Sequence, residues 1–143
     1  MITGIDHIAL SVSNLEQSIE FYEMVGNFKV IRIIDKNTGS RLGEVIGIPN
    51  AQARIAHLTD GQTMFELFEY ISPKGTPIDK KHQLAGLGFT HIGVKSDDTR
   101  KDYARLVTLG VEFITEPIEF RPGVWMCYFY GPDHEVCELR QAD

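Results

Sequence analysis

Two histidines and two glutamates stand at repeated positions in this chain, and all four are residue types that bind metals. His7 opens a segment that closes at Glu66, and His91 opens a second segment that closes at Glu138. Imidazole nitrogen and carboxylate oxygen both bind zinc, while imidazole also suits iron and nickel, and carboxylate suits manganese. The four residues therefore predict a site for one divalent metal, drawn from nickel, zinc, cobalt, manganese and iron.

An internal repeat relates the two segments. A shift of 84 residues places His7 on His91, and nineteen residues separate each histidine from a glycine, Gly26 or Gly110. The same shift aligns Ile8 with Ile92, Leu10 with Val94, and Asn14 with Asp98. Two copies are too few for a solenoid, so the repeat predicts a pseudo-symmetric domain whose halves face each other.

Each half is predicted to be a β-α-β-β-β module, which gives an α+β fold with a curled, cup-shaped mixed sheet and helices outside. Residues 5–12 alternate as a strand, and Asn14 is the predicted N-cap of the helix that follows. Strands are predicted at 28–34 and 63–70, and the third of the four strands lies within the apolar stretches 42–48 and 53–58. In the second half they are predicted at 89–95, 111–114, 124–130 and 135–140. A single domain is expected, with module one at about 4–72, a linker at 73–87 and module two at about 88–141.

Strand alternation predicts that the candidate ligands share one face of their sheets. Each is flanked by apolar residues that should pack on the helices, so the face away from the helices carries His7, Glu66, His91 and Glu138. Ala9 and Gly93 are small and leave room on that face. The other histidines have no partner in the repeat, and solvent or turn positions are predicted for His57, His82 and His134.

Composition excludes several classes of protein. The net charge of −6 over 143 residues argues against nucleic-acid binding, which favours a basic surface. No signal peptide and no membrane-spanning apolar run is recognised, so a cytoplasmic protein without a membrane partner is expected. Cys127 and Cys137 should then remain reduced, with Cys137 in the core.

The chain resembles the vicinal oxygen chelate superfamily, which includes glyoxalase I, methylmalonyl-CoA epimerase, extradiol dioxygenases and fosfomycin-resistance enzymes. The segments that carry the resemblance are 6–12 (DHIALSV), 18–22 (SIEFY), 65–67 (FEL), 90–94 (THIGV) and 131–139 (GPDHEVCEL). It implies paired modules whose sheet curls around one metal. The ligand set of bacterial-type glyoxalase I falls on His7, Glu66, His91 and Glu138.

The resemblance implies a metal-dependent lyase or isomerase that acts on a small molecule. The reaction would be a 1,2-proton transfer through a metal-stabilised enediolate, as in glyoxalase I or an acyl-CoA epimerase. Glu138 is the first choice of base, with Glu66 as its partner. The candidate basic residues for a glutathione pocket are Arg32, Arg41 and Arg54.

Two other functions remain open. An Fe(II) extradiol-type dioxygenase would use His7, His91 and Glu138, since two histidines and one carboxylate suit non-haem iron. A non-enzymatic binding or resistance protein would instead hold an aromatic ligand in a pocket lined by Trp125, Tyr128, Phe129, Tyr130 and Phe120. In each case a homodimer is expected, because half-cups leave sheet edges exposed and two-fold dimers are the commonest closed assembly.

Overall fold

A β-α-β-β-β unit occurs twice in the computed structural model, which describes residues 1–35, 41–81 and 83–142. The chain divides into two compact units, Met1–Pro77 and Ile78–Asp143. Each unit contains a four-stranded mixed sheet. The predicted α+β class and the repeated module are thus confirmed.

The first unit has strand order β1-β4-β3-β2, with β1 parallel to β4 and the other neighbours antiparallel. Its elements are β1 (His7–Ser11), α1 (Leu15–Val25), β2 (Lys29–Ile34), α2 (Leu42–Ile46), β3 (Gln52–Thr59) and β4 (Met64–Ser72). Of the two apolar stretches offered for the third strand, 53–58 is correct. The stretch 42–48 instead carries the short helix α2, which ends at Gly47 in the left-handed conformation with φ 72°.

The second unit has the matching order β5-β8-β7-β6, and β5 is parallel to β8. Its elements are β5 (Ile92–Lys95), α3 (Thr99–Thr108), β6 (Ile118–Arg121), β7 (Val124–Tyr130) and β8 (Val136–Gln141). The predicted strand at 111–114 is wrong. Phe113 there forms a single bridge to Phe129 and packs its ring against Tyr103. Val111 is buried and Ile114 is exposed, so the segment contributes to the core but joins β7 through one bridge and not as a strand.

Helix α1 begins and packs as its sequence pattern predicts. The Asn14 side chain accepts a hydrogen bond from the Gln17 backbone N–H at 2.9 Å, which satisfies an otherwise unpaired donor of the first turn. Tyr22 is fully buried and meets the ring of Phe65 edge-on, with 4.8 Å between ring centroids. Full burial of such side chains contributes roughly 1.5–3 kcal/mol each, and it fixes which face of the sheet the helix covers.

Helix α3 repeats this arrangement in the second unit. Asp98 caps it by accepting a hydrogen bond from the Lys101 backbone N–H at 3.1 Å. Leu106, Phe129 and Leu139 are buried, and so is Cys137, as predicted. Cys127 and Cys137 are both buried, and within the described part of the chain neither forms a disulfide. None of the helices in the described part of the chain combines the length and apolar character needed to cross a bilayer.

Arg54 ties α1 to the helix-facing side of the first sheet. Its guanidinium donates hydrogen bonds to carboxylates of Glu16 in α1, Asp35 after β2 and Glu69 in β4. Three carboxylates around one arginine hold three elements together. The hydrogen bond from Arg54 also lowers the pKa of Glu16 below its ordinary value of 4.5.

Replacing Arg54 with Met is expected to lower the free energy of unfolding by about 1 kcal/mol at neutral pH, since solvent screens the exposed carboxylates. The pKa of Glu16 is lower in the folded protein than its ordinary value of 4.5. The Arg54–Glu16 interaction therefore stabilises the fold fully at pH values above 4.5, and this stabilisation is lost as the pH falls through the lower folded pKa. Urea unfolding at neutral and at acidic pH measures the difference. Arg41→Met is the control, because Arg41 pairs with Glu44 in α2 where both are exposed. An equal loss at both pH values would contradict this prediction.

Candidate metal centre

In the first unit, His7 and Glu66 lie together on the sheet face that α1 leaves uncovered. Parallel pairing sets Ala9 beside Glu66 and Met64 beside His7, so the imidazole approaches the carboxylate diagonally. His7 Nε2 lies 3.4 Å from Glu66 Oε2. Only 12% of the Glu66 side chain is exposed, and a carboxylate that is buried without a partner is costly. His7 therefore provides a partner that lowers the free-energy cost of burying the Glu66 carboxylate.

The second unit repeats the geometry with His91 and Glu138. Gly93 pairs with Glu138, as Ala9 does with Glu66, and His91 immediately precedes β5. His91 Nε2 lies 3.7 Å from Glu138 Oε2. A methyl group at Gly93 would stand 3.7 Å from Glu138 Oε2, which is ordinary contact. A larger side chain there would enter the space in front of the carboxylate, so the small residue keeps that space open.

Both candidate histidines are oriented through their other ring nitrogen. His7 Nδ1 lies 2.9 Å from Asp6 Oδ2, and His91 Nδ1 lies 3.0 Å from the Thr90 hydroxyl. Such contacts leave Nε2 directed at the glutamate, as in the outer-shell hydrogen bonds that orient metal-bound imidazoles. The hydrogen bond with Asp6, aided by the charge of Glu66, raises the pKa of His7 above its ordinary value.

His57 contacts Glu66 as well, and its prediction as a solvent or turn residue is wrong. Antiparallel pairing sets it directly across from Glu66, with 3.2 Å between His57 Nε2 and Glu66 Oε1. Its side chain is 20% exposed. The signal that could have found it is the hairpin at Gly61, because His57 and Glu66 are equally far from the centre of that turn. The prediction for His82 falls outside the described residues.

Tyr128 occupies the position in the second unit that His57 holds in the first. It pairs with Glu138 across β7 and β8, and its hydroxyl donates a hydrogen bond to Glu138 Oε1 at 3.0 Å. Burial, reinforced by this hydrogen bond and by the carboxylate charge, raises the pKa of Tyr128. Each glutamate thus has one partner from a parallel strand and one from an antiparallel strand.

The predicted aromatic pocket is not formed as a set within the second unit. Phe129 is buried on the helix side, and Trp125 lies under the Arg100 guanidinium at 4.5 Å. Of the four aromatic residues on β7, the strand register leaves two on the face of Glu138, Tyr128 and Tyr130. Phe120 lies at a register shift of β6 and is exposed. His134 is a turn residue, as predicted, and stacks on Tyr130.

The three candidate basic residues for a glutathione pocket separate in the structure. Arg54 is engaged by carboxylates on the helix side, and Arg41 pairs with Glu44 in α2. Arg32 alone of the three is on the face of Glu66, because it pairs with His57 across β2 and β3.

The donor atoms of each unit fit a divalent cation. Two ligands about 2.1 Å from one ion lie roughly 3.0–3.4 Å apart at tetrahedral or octahedral angles. The distance of 3.4 Å for His7 and Glu66 lies at the upper end of that range, and the distance of 3.7 Å for His91 and Glu138 slightly exceeds it. His7 and His57 approach different oxygens of Glu66, and within the described part of the chain no three His, Cys, Asp or Glu side chains form a ready set of ligands. Each unit therefore offers an imidazole–carboxylate pair.

Known proteins share both the length and the fold of this chain. The uncharacterized protein YwbC of Bacillus subtilis (strain 168) is 30% identical over 146 residues, which cover 99% of each chain. The structure of a glyoxalase family protein from Bacillus cereus has a TM-score of 0.88 at 20% identity, covering 100% of this chain and 97% of that one.

Two further solved structures carry functional names. The fosfomycin resistance protein FosX of Listeria monocytogenes, in complex with Mn(II) and a sulfate ion, has a TM-score of 0.66 at 19% identity, covering 100% of this chain and 95% of that one. A glyoxalase I mutant from Zea mays has a TM-score of 0.72 at 20% identity, covering 96% of this chain and 44% of that one. At these identities the likeness establishes the fold.

Family membership follows from the sequence match. A model of the Glyoxalase/Bleomycin resistance protein/Dioxygenase superfamily matches residues 4–139. The matched span includes both histidine–glutamate pairs, and it agrees with the resemblance inferred from the sequence motifs. The chain belongs to the Glyoxalase/Bleomycin resistance protein/Dioxygenase superfamily.

Proposed function

We propose that this protein is a metal-dependent lyase or isomerase acting on a small substrate that bears two adjacent oxygens. It removes a proton from a carbon beside a carbonyl and returns the proton to the neighbouring carbon or to the same carbon. The reaction is of the glyoxalase I or acyl-CoA epimerase type. The observation that carries the proposal is the duplicated pair of an imidazole and a largely buried carboxylate in the same strand register in each unit.

The proposed ligands of one divalent metal are His7, Glu66, His91 and Glu138. When bound, the metal supplies Lewis acidity that polarises a substrate carbonyl and makes the hydrogen on the adjacent carbon acidic. The protein holds Nε2 of each histidine toward a carboxylate through the Asp6 and Thr90 contacts at Nδ1. This preorganisation supports a site that binds without large side-chain rearrangement.

Glu138 is the proposed base. Its Oε1 accepts the Tyr128 hydroxyl, whereas Oε2 lies 3.7 Å from His91, beyond hydrogen-bond distance. That oxygen is therefore the less constrained one, and it could leave a bound metal to take a proton from substrate. Both oxygens of Glu66 instead have an imidazole within 3.4 Å, which suits a metal ligand that does not act as the base. A positioned base typically contributes roughly 10²–10⁴-fold to rate.

Purified protein is expected to retain one divalent metal per set of the four residues. His7→Ala and His91→Ala each remove a nitrogen ligand and should greatly weaken retention, while His57→Ala should weaken it roughly 10–100-fold, as loss of an outer-shell partner does. His134→Ala is the control, since His134 stacks on Tyr130 in the turn before β8 and, within the described part of the chain, forms no ion pair with Glu66 or Glu138. Metal content by mass spectrometry, together with competition against a chelator, measures the effects. Unchanged stoichiometry after removal of any three of the four proposed ligands would place the metal elsewhere.

Solvent deuterium exchange at the acidic carbon of candidate hemithioacetals and 2-oxo thioesters is the direct test of proton transfer. Glu138→Gln should reduce exchange at least 100-fold while metal retention falls less, because the amide keeps an oxygen ligand but is no longer a base. Tyr128→Phe is the companion variant, which removes the hydrogen bond at Oε1 and keeps the carboxylate. Exchange that survives Glu138→Gln, with oxygen consumed when catechols are added, would instead support the dioxygenase.

We also propose that the protein works as a homodimer. In the first unit the edge strand β2 exposes Ile31 and Ile33, and in the second unit the edge strand β6 exposes Ile118 and Phe120. Exposed apolar edges are normally covered or paired. Sedimentation equilibrium at micromolar concentration should give twice the chain mass of 16.1 kDa, and a monomer under those conditions would refute the dimer.

A further inference from the structure

The second unit carries two cations on the same sheet face as Glu138. Gly93 pairs with Glu138, and two residues further along the same strands Lys95 pairs with Arg140. The intervening residues, Val94 and Leu139, are buried on the helix side. Because strand side chains alternate between faces, Lys95 and Arg140 share the face of the candidate metal ligand.

These two cations face each other without a counter-ion. Neighbouring strands lie about 4.8 Å apart, and like charges set directly across from each other destabilise a sheet. Among residues 1–35, 41–81 and 83–142, the side chains of Lys95 and Arg140 form no ion pair. Both side chains are exposed to solvent and remain free to bind an anion.

The repeat shows that the fold does not require these charges. In the first unit the equivalent pair across β1 and β4 is Ser11 with Phe68, neither of which is charged. The glutamate, the small residue beside it and the helix-side apolar residues are kept in both units, while this pair differs. The two cations thus distinguish the second half-site from the first.

We infer that Lys95 and Arg140 form a subsite for an anionic oxygen-bearing group of the substrate, a carboxylate or a phosphoryl group. The guanidinium fork matches two oxygens of such a group, and the lysine adds a point charge. Two residues along a strand span about 6.6 Å, so the anion lies that far from the position of Glu138. This inference rests on the proposed function, and it adds that the substrate carries a negative group several bonds away from the oxygens beside the reacting carbon.

The test measures binding of inorganic phosphate and of acetate to the full chain at constant ionic strength. Backbone amide NMR shifts of Lys95 and Arg140 should follow a saturable curve with at least one of the probes. Lys95→Met and Arg140→Gln should each weaken that binding about tenfold, as expected for loss of a charged hydrogen bond. Lys101→Met, an equal loss of charge on the exposed surface of α3, is the control and should leave it unchanged. Tighter binding of phosphate identifies a phosphoryl group, and tighter binding of acetate identifies a carboxylate.

Metal content measured on the same samples separates this inference from the proposed function. Both subsite variants should keep the wild-type metal content, and with an anionic substrate they should raise KM about tenfold while kcat changes little. Anion binding that depends on the two cations in a protein with no metal would overturn the proposed function and leave the subsite intact. The subsite would be overturned if deuterium exchange depends on the metal while anion binding is equal in the wild type and the variants. It would also be overturned if anion binding requires the metal but neither cation.

Discussion

The parallel pairing between the first and last strands of each unit is the constraint on which the candidate metal centre depends. It sets Ala9 beside Glu66 and Gly93 beside Glu138, and it brings each histidine diagonally toward its carboxylate. Since side chains alternate with a period of two, a slip of one residue would turn every one of these groups to the helix side. The register is held by apolar burial, with Phe65 and Leu67 packed beneath α1. Polar chemistry on one face is thus positioned by hydrophobic packing on the other.

Alternation and repetition account for what the sequence could predict. Cys137 and Leu139 are buried where their parity puts them, and Glu138 faces the opposite way with only 12% of its side chain exposed. Asn14 and Asp98 cap their helices because a side-chain oxygen that precedes a helix has a local, recognisable role. These features depend on neighbours within a few residues or on a counterpart in the other copy.

Features that depend on pairing between distant strands could not be predicted in the same way. The position equivalent to His57 in the second unit is not a histidine, so the repeat does not mark His57 as a candidate ligand. The hairpin register is what brings His57 to Glu66. Tyr128 serves the second glutamate through a different functional group at the same register. The strand predicted at 111–114 is wrong because burial in a core and burial in a sheet favour the same apolar residues. Lys95 and Arg140 are far apart in the sequence, and the parallel pairing of β5 with β8 is what sets them side by side.

The contrast between His57 and Tyr128 bears on how such a protein can acquire new chemistry. Each residue stands directly across from a glutamate on an antiparallel neighbour, and neither belongs to the apolar layer beneath the helices. An imidazole can carry a positive charge near neutral pH, whereas a phenol stays neutral there. A substitution at this single strand position therefore changes the basicity and charge beside one glutamate without disturbing the scaffold. The two copies in this chain have different residues at that position. The position opposite the glutamate can therefore vary while the packing of strands and helices around it stays the same.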